Sequence, residues 1–326
     1  MFEDLDLQAV RYFVAVAEEL HFTRAATRLF VAEQALSRSI GRLERRLGVP
    51  LFVRTTRRVT LTREGEALLT SARELIALND RIVQGFRTPD QPIVVDVIDE
   101  GLTSWRILET ARAARPELEL TARHGGGLGG AIRSLLVGEL DVAFGRVGGL
   151  GSPIPIELQA RTVRLEPLGL LLPTGHPLAA HKTVPGAALA DQEIDISEGN
   201  IWAPEWVDLG RQFVERVAAR AQPPHATAEG REETARHLAR EGLPILTHLE
   251  AAPVDGGMIR PLVAPRPLYP WSIVHRRASR LAGIVALNDA ATALAGSEGW
   301  LDRPSRSWLP EPEATQLRDG SPRAGA

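Results

Sequence analysis

The sequence has no cysteine. That excludes a disulfide framework, thiolate-bound zinc and any cysteine nucleophile, and it fits a reducing compartment. Nor does any apolar run approach the roughly 20 residues that span a bilayer. The first residues, MFEDLDLQAVRYF, start acidic and lack both a basic stretch and an unbroken apolar one, so no secretory leader is expected. The expected setting is the cytoplasm, with no membrane partner. Eight histidines, His21, His124, His176, His181, His225, His237, His248 and His275, are scattered without a His-Glu-x-x-His pair or a nucleophile elbow. No enzymatic activity, metal site or cofactor is therefore expected.

What is present is an uneven distribution of charge. Between Arg24 and Arg63 stand ten arginines against two acids, Glu33 and Glu44. This local net of +8, set against −3 for the whole chain, leaves −11 for the remainder. Such a sign asymmetry is the footprint of a nucleic-acid-binding module joined to an acidic one. At 326 residues and 44% hydrophobic content the chain can fill two or three cores.

Residues 7–18 carry a helical stripe of Val10, Phe13, Val14 and Ala17. Thr23 stands where an N-cap would open a short helix through RAATRLF. A third helix is expected from about Ala32 to Leu47, with Leu36, Ile40, Leu43 and Leu47 on one face, ended by Gly48 and Pro50. Residues 51–62 alternate as a hairpin turning at Thr55–Arg58. Helix-turn-helix plus hairpin is a winged helix. A long helix then runs from an N-cap at Thr62 to about Arg87. Its Leu68, Ala72, Leu75, Asn79, Ile82 and Phe86 repeat at alternating fours and threes, which predicts dimerisation through that seam, with Asn79 able to fix register.

RTPDQP, 87–92, reads as a linker. Beyond it, strands at 93–98, 118–123 and 141–146 alternate with helices around 103–114 and 130–138, suggesting a parallel α/β sheet. A second α/β set holds a strand at 169–173, helices at 207–221 and 231–241, strands at 243–246 and 271–275, and a last helix from about Arg280 to Ala295. The tail from Arg303, rich in Pro, Ser and Gly, is expected to be poorly ordered.

The ungapped pattern F-T-x-A-A-x-x-L, then A-L-S-x-x-I-x-x-L-E-x-x-L-G-x-x-L-F-x-R, then L-T-x-x-G, over residues 22–65, resembles the LysR-type transcriptional regulators. LLVGELDVAFG (135–145) and LGLLLPTGHPLA (168–179) are more weakly similar to the same family's effector domain. The resemblance implies an α/β protein with an N-terminal all-α winged helix-turn-helix domain and a C-terminal fold of two subdomains like periplasmic binding proteins. The corresponding division is a DNA-binding domain at 1–64, a dimerisation helix at 65–90 and an effector domain at 91–302. Within the latter, subdomain I would take about 91–163 and 267–302, and subdomain II about 164–266, with a disordered tail at 303–326. It further implies a homodimer or homotetramer on double-stranded promoter DNA, a small-molecule effector between the subdomains, and RNA polymerase as a further partner.

A helix of this kind fits the major groove. Opposite its apolar face lie Glu33, Gln34, Ser37, Arg38, Gly41 and Arg42. Gln34 suits adenine, Arg38 guanine and Glu33 a cytosine amino group. Arg45, with Arg54, Arg57 and Arg58 of the wing, is expected on phosphates, and Thr23, Arg24 and Thr55 border the same face. The family usually has Ser-Gln-Pro where this chain has Ala32-Glu33-Gln34, so a cap worth about 1 kcal/mol is lost and a negative charge gained. For the effector the expected residues are Thr103 and Ser104 at a helix start, Glu198, Asn200 and Trp202 across the cleft, and Thr247 and His248. Asp99 and Glu100 near the same mouth would repel a plain carboxylate.

One stretch supports a different chemistry. HGGGLGGA satisfies G-x-G-x-x-G at Gly125, Gly127 and Gly130 between a strand and a helix, and Arg146 could meet a 2′-phosphate, so an NADPH-binding oxidoreductase is the alternative. A solute-binding protein would share the effector fold but would need export.

Overall fold

The structure, a computed structural model, describes residues 5–29, 31–54, 59–85, 88, 90–225 and 230–318. They form two compact units, one up to residue 88 and one from residue 89 onward.

In the first unit α1, Leu7–Glu19, is opened by Asp6, whose carboxylate accepts the Gln8 N–H at 2.9 Å. Val10, Phe13, Val14 and Ala17 face the core as their spacing predicts. The next helix, α2, Phe22–Arg28, starts two residues earlier than expected. Its N-cap is His21, whose Nδ1 accepts the Arg24 N–H, and not Thr23. Helix α3, Glu33–Leu47, has Ala32 as an N-cap with no side-chain hydrogen bond, as the lost Ser implies, and ends at Gly48 with φ +72°. The wing pairs β1, Phe52–Arg54, with β2, Val59–Leu61, antiparallel from Phe52↔Leu61 to Arg54↔Val59. Its residues 55–58, the expected turn, lie outside the described residues. Thr62 does cap α4, Arg63–Gly85: its hydroxyl oxygen accepts the Gly65 N–H at 3.0 Å while donating to the Pro50 carbonyl.

Phe13 and Phe22 pack on Phe52 with ring centroids 5.5 and 5.8 Å apart, and Leu36, Ile40 and Leu43 of α3 close on them. Each such side chain contributes about 1.5–3 kcal/mol by leaving water. This core also claims part of α4, because Ala72 and Ile76 are buried in it and Leu68 packs against it. The expected seam is therefore split. Leu68 and Ala72 serve the helix's own domain, whereas Leu75, Leu78 and Ile82 are exposed. Asn79 is half-buried, and Phe86 lies outside the described residues. Helix α4 is thus built into the first unit instead of standing as a segment apart.

The second unit begins with β3 (Ile93–Val97), α5 (Thr103–Ala114), β4 (Leu120–His124), α6 (Leu128–Val137) and β5 (Val142–Gly145), in which β3 pairs parallel with both β4 and β5. There follow β6 (Leu158–Pro173), β7 (Val184–Pro185), β8 (Glu193–Ile194), α7 (Pro204–Arg216), β9 (Arg220–Ala221) and α8 (Arg231–Glu241). The chain closes with β10 (Ile245–His248), β11 (Gly257–Val263), β12 (Arg266–Arg276), α9 (Ala282–Glu298), β13 (Ser307–Trp308) and α10 (Glu313–Arg318). The main sheet has the order β4-β3-β5-β12-β6-β11-β7, with β10 on β6 and β13 on β12.

The sheet is mixed, not purely parallel, since β12 runs antiparallel to both β5 and β6. The expected strand at 169–173 is the end of β6, which pairs with β12 up to Pro167 and with β10 and β11 from Leu168 on. The two halves of the unit therefore share one strand that changes partners at residues 167–168. The helix expected at 207–221 stops at Arg216, because Ala218 turns to φ +54° and Arg220–Ala221 pair with β8.

The tail does not follow its composition either. Ser307 and Trp308 pair with Arg266 and Pro267, and Glu313 of α10 meets the fully buried Arg146 at 3.0 Å. A buried guanidinium needs carboxylates, and the tail supplies one. Residues 319–326 lie outside the described residues.

Candidate functional site

Helix α3 presents two unlike faces. Leu36 and Ile40 are wholly buried, while Glu33, Gln34, Arg38, Arg42 and Arg45 are exposed and Ser37 half-buried. Both acids of this basic stretch are tied to neighbouring groups. The Glu33 carboxylate accepts the Thr23 hydroxyl at 2.7 Å, tying α2 to α3. Glu44 Oε1 accepts the N–H groups of Leu51 and Phe52 at 2.9 and 3.2 Å and so fixes the root of the wing to α3. Arg24 is drawn back to α1, donating to the Glu19 carbonyl and lying 3.5 Å from its carboxylate. Arg54 closes β1, while Thr55, Arg57 and Arg58 lie outside the described residues. A helix with a guanidinium row on its solvent side presents a cationic surface suited to a polyanion.

The second unit holds a cleft of about 270 Å³, lined by residues of β10, α7 and α8 and by the segments before α6 and α7. Asn200, Thr247 and His248 line it, together with Asp195, Glu205, Trp206 and Tyr269. His248 sits in an aromatic nest, its ring centroid 4.8 Å from Trp206, 5.1 Å from Tyr269 and 5.2 Å from Trp271. No Lys or Arg is among the described lining residues.

The remaining expected residues stand elsewhere. Thr103 and Ser104 are wholly buried. The Thr103 hydroxyl donates to Glu166 at 2.9 Å and accepts from Arg164 at 3.1 Å, and the Ser104 hydroxyl accepts the Ile98 N–H. Glu198 is held by Arg211. Trp202 is 54% exposed, outside the cleft, with its side chain laid over Gly126 and Gly130. Asp99 and Glu100 are exposed and are not cleft residues; the cleft's acids are Asp195 and Glu205.

Glu205 settles the alternative chemistry. Its carboxylate accepts the N–H groups of Leu128 at 2.6 Å and Gly129 at 3.3 Å, so the backbone donors that a pyrophosphate would need at the start of α6 are already occupied. The glycines are there for packing. A Cβ on Gly126 would lie 2.7 Å from the Trp202 Cβ, one on Gly127 2.7 Å from the Ala203 Cβ, and one on Gly129 2.5 Å from Pro204. Arg146 is equally committed, 2.6 Å from Asp208 and 3.0 Å from Glu313. Burial raises Glu205 to about 7, against the lowering effect of the same N–H groups and of Arg146. Burial likewise raises Tyr269 far above its ordinary value, and raises Asp96 to about 6 in spite of Arg123. For Glu166 burial also acts upward, but His248, Arg164 and the Thr103 hydroxyl together hold it below the usual carboxylate value.

Sequence reasoning missed Asp195, Glu205, Trp206 and Tyr269. Pro204-Glu205 has the form of a helix start, with Pro at N1 and an acid in the first turn. That this acid serves a second helix, α6, is a tertiary fact.

Comparison with known proteins agrees with the two-unit division. The family model described as the bacterial regulatory helix-turn-helix protein, lysR family, matches residues 7–66, and that of the LysR substrate binding domain matches residues 93–292. The uncharacterized HTH-type transcriptional regulator YnfL of Escherichia coli is 33% identical over 203 residues, 58% of this chain and 64% of YnfL. The HTH-type transcriptional regulator BudR of Raoultella terrigena is 32% identical over 195 residues, 57% of this chain and 66% of BudR. The chain thus spans a little under two thirds of the curated relatives it matches. Full-length BenM superposes with a TM-score of 0.54 at 25% identity, covering 92% of this chain and all of BenM. CbnR in complex with its target DNA shares the fold with a TM-score of 0.51 at 20% identity, over 89% of this chain and 99% of CbnR.

Proposed function

Because the chain belongs to the LysR family of bacterial helix-turn-helix regulators, we propose that it regulates transcription by sequence-specific binding to promoter DNA under the control of a small molecule held in the second unit. The observation that carries the reading is the division of α3, with Leu36, Ile40 and Leu43 buried and Arg38, Arg42 and Arg45 exposed along the opposite side. Arg38, Gln34 and Glu33 read bases; Arg42, Arg45 and the wing arginines position the protein on phosphates. The exposed Leu75, Leu78 and Ile82 of α4 form the dimer surface, and dimers or tetramers place several winged helices along one duplex. RNA polymerase completes the partners, and the protein acts in the cytoplasm without enzymatic activity.

The effector occupies the cleft of Asn200, Thr247 and His248. With no arginine or lysine among the described lining residues, the cleft's own side chains favour a neutral group over a bare carboxylate. Its binding biases the arrangement of the second unit and hence the spacing of DNA-binding units. The test is the salt dependence of binding to a fragment selected from random DNA. Each phosphate contact releases counterions, so log K falls with log salt at about −0.9 per contact, and the expected slope is steep. A flat dependence would overturn the assignment of the basic face.

A further inference from the structure

Sequence spacing gives no metal motif, yet the fold assembles one. Asp195, His225 and His237 come from three segments, just after β8, after β9 and on α8, and their ligand atoms lie within 4.8 Å of one another. His225 Nε2 is 3.0 Å from Asp195 Oδ1 and His237 Nε2 is 2.7 Å from Asp195 Oδ2, and the two imidazoles stack at 4.7 Å. All three line the cleft, and the Asp195 and His237 side chains are only 3% and 5% exposed.

We propose that Asp195, His225 and His237 bind one divalent first-row transition metal ion of the zinc class, with a fourth position open to the cleft. Nitrogen and carboxylate ligands stand about 2.0–2.2 Å from zinc, and therefore about 3.3–3.5 Å apart in a tetrahedron. The two observed contacts need to widen by only about half an ångström to reach that spacing. Two imidazoles and one carboxylate suit zinc, cobalt or nickel better than the hard cations calcium and magnesium. The carboxylate is already oriented, since Asp195 Oδ1 accepts the Ser197 N–H at 2.6 Å and its backbone bridges to Ile245.

Arg240 abuts the second ring nitrogen of His237. Its guanidinium, which can only donate, lies 3.0 Å from His237 Nδ1. His237 therefore carries its proton on Nε2 and donates it to Asp195. Metal binding at Nε2 moves that proton to Nδ1, with no net proton released, and Arg240 must then turn away. At 68% exposure it has solvent to turn into. Removing Arg240 consequently strengthens metal binding, an effect that a purely structural Asp–His hydrogen-bond cluster would not produce.

The site rests on its own geometry and not on the DNA-binding reading. The experiment is a Co²⁺ titration of the full chain after dialysis against chelator, followed by visible absorption, with Zn²⁺ competition by calorimetry. The expected result is one equivalent per chain with intense tetrahedral cobalt bands that zinc abolishes. Arg240→Ala should bind about 3- to 10-fold tighter, the worth of one competing hydrogen bond. His225→Ala and His237→Ala should lose the bands, and His225, the more exposed of the two, keeps the test decisive if His237→Ala fails to fold. No bands in the wild-type chain, or equal binding by the folded His225→Ala variant, would overturn the proposal. Neither outcome alters the salt dependence of DNA binding, which is measured separately.

Discussion

On α3 the arginines stand away from the fold: Arg38, Arg42, Arg45 and Arg46 are exposed, and their helix is held by leucines on its other side. In the second unit three of the described arginines turn inward instead. Arg146 is wholly buried, Arg164 is 5% and Arg276 7% exposed, and each meets carboxylates, Asp208 and Glu313, Glu250, and Asp141 respectively. The same residue type thus does two jobs. Where guanidinium groups face water in a row they form an electrostatic surface for a polyanion, while a guanidinium buried among acids fixes one segment of chain to another.

The comparison can be broken most forcefully at Arg146. Arg146→Met leaves Asp208 and Glu313 without their cation and frees the C-terminal segment from its anchor. A loss of about 3–5 kcal/mol in urea unfolding is expected, the usual cost of breaking a buried pair. Arg42→Met on the exposed face should change stability by less than about 0.5 kcal/mol. Similar losses for both would erase the distinction between the two kinds of arginine.

A smaller effect comes from Glu205. Its ordinary value of 4.5 is raised to about 7 by burial, so between those values the folded chain holds a proton that the unfolded chain has released. Its stabilising contribution is therefore complete below about 4.5 and is lost as pH rises through about 7, amounting to about 3 kcal/mol. Unfolding midpoints measured from pH 5 to pH 8.5 should fall, and Glu205→Gln should flatten that fall. An unchanged slope would place the titration elsewhere.

How much of this was legible follows from the range of the forces involved. The α3 face could be read because helical periodicity is local: Leu36, Ile40 and Leu43 stand at spacings that only one face can satisfy. The Thr62 cap and the Gly48 stop were legible for the same reason. The α4 seam was half legible, since periodicity marks Leu68, Ala72, Leu75 and Ile82 as apolar but cannot say that the first two are consumed by the helix's own domain. The cleft was the least legible part. Glu205 joins α6 across 76 and 77 residues, and His237 joins Asp195 across 42, and no local pattern records such pairings. The glycines of residues 125–130 misled because the packing of Trp202, Ala203 and Pro204 requires the same small residue as a phosphate would. The tail misled because its Pro and Gly content carries no sign of the buried guanidinium that Glu313 answers.

The most direct test of the DNA-binding surface compares Arg38→Ala with Arg45→Ala on two targets, a fragment selected from random DNA by the wild-type chain and an unselected fragment of equal length. Arg38→Ala should lose about 1–3 kcal/mol on the selected fragment and little on the other, as expected for a contact to a base edge, whereas Arg45→Ala should weaken both alike, as expected for a phosphate contact. Equal losses on both fragments for the two variants, or no loss for either, would contradict the account.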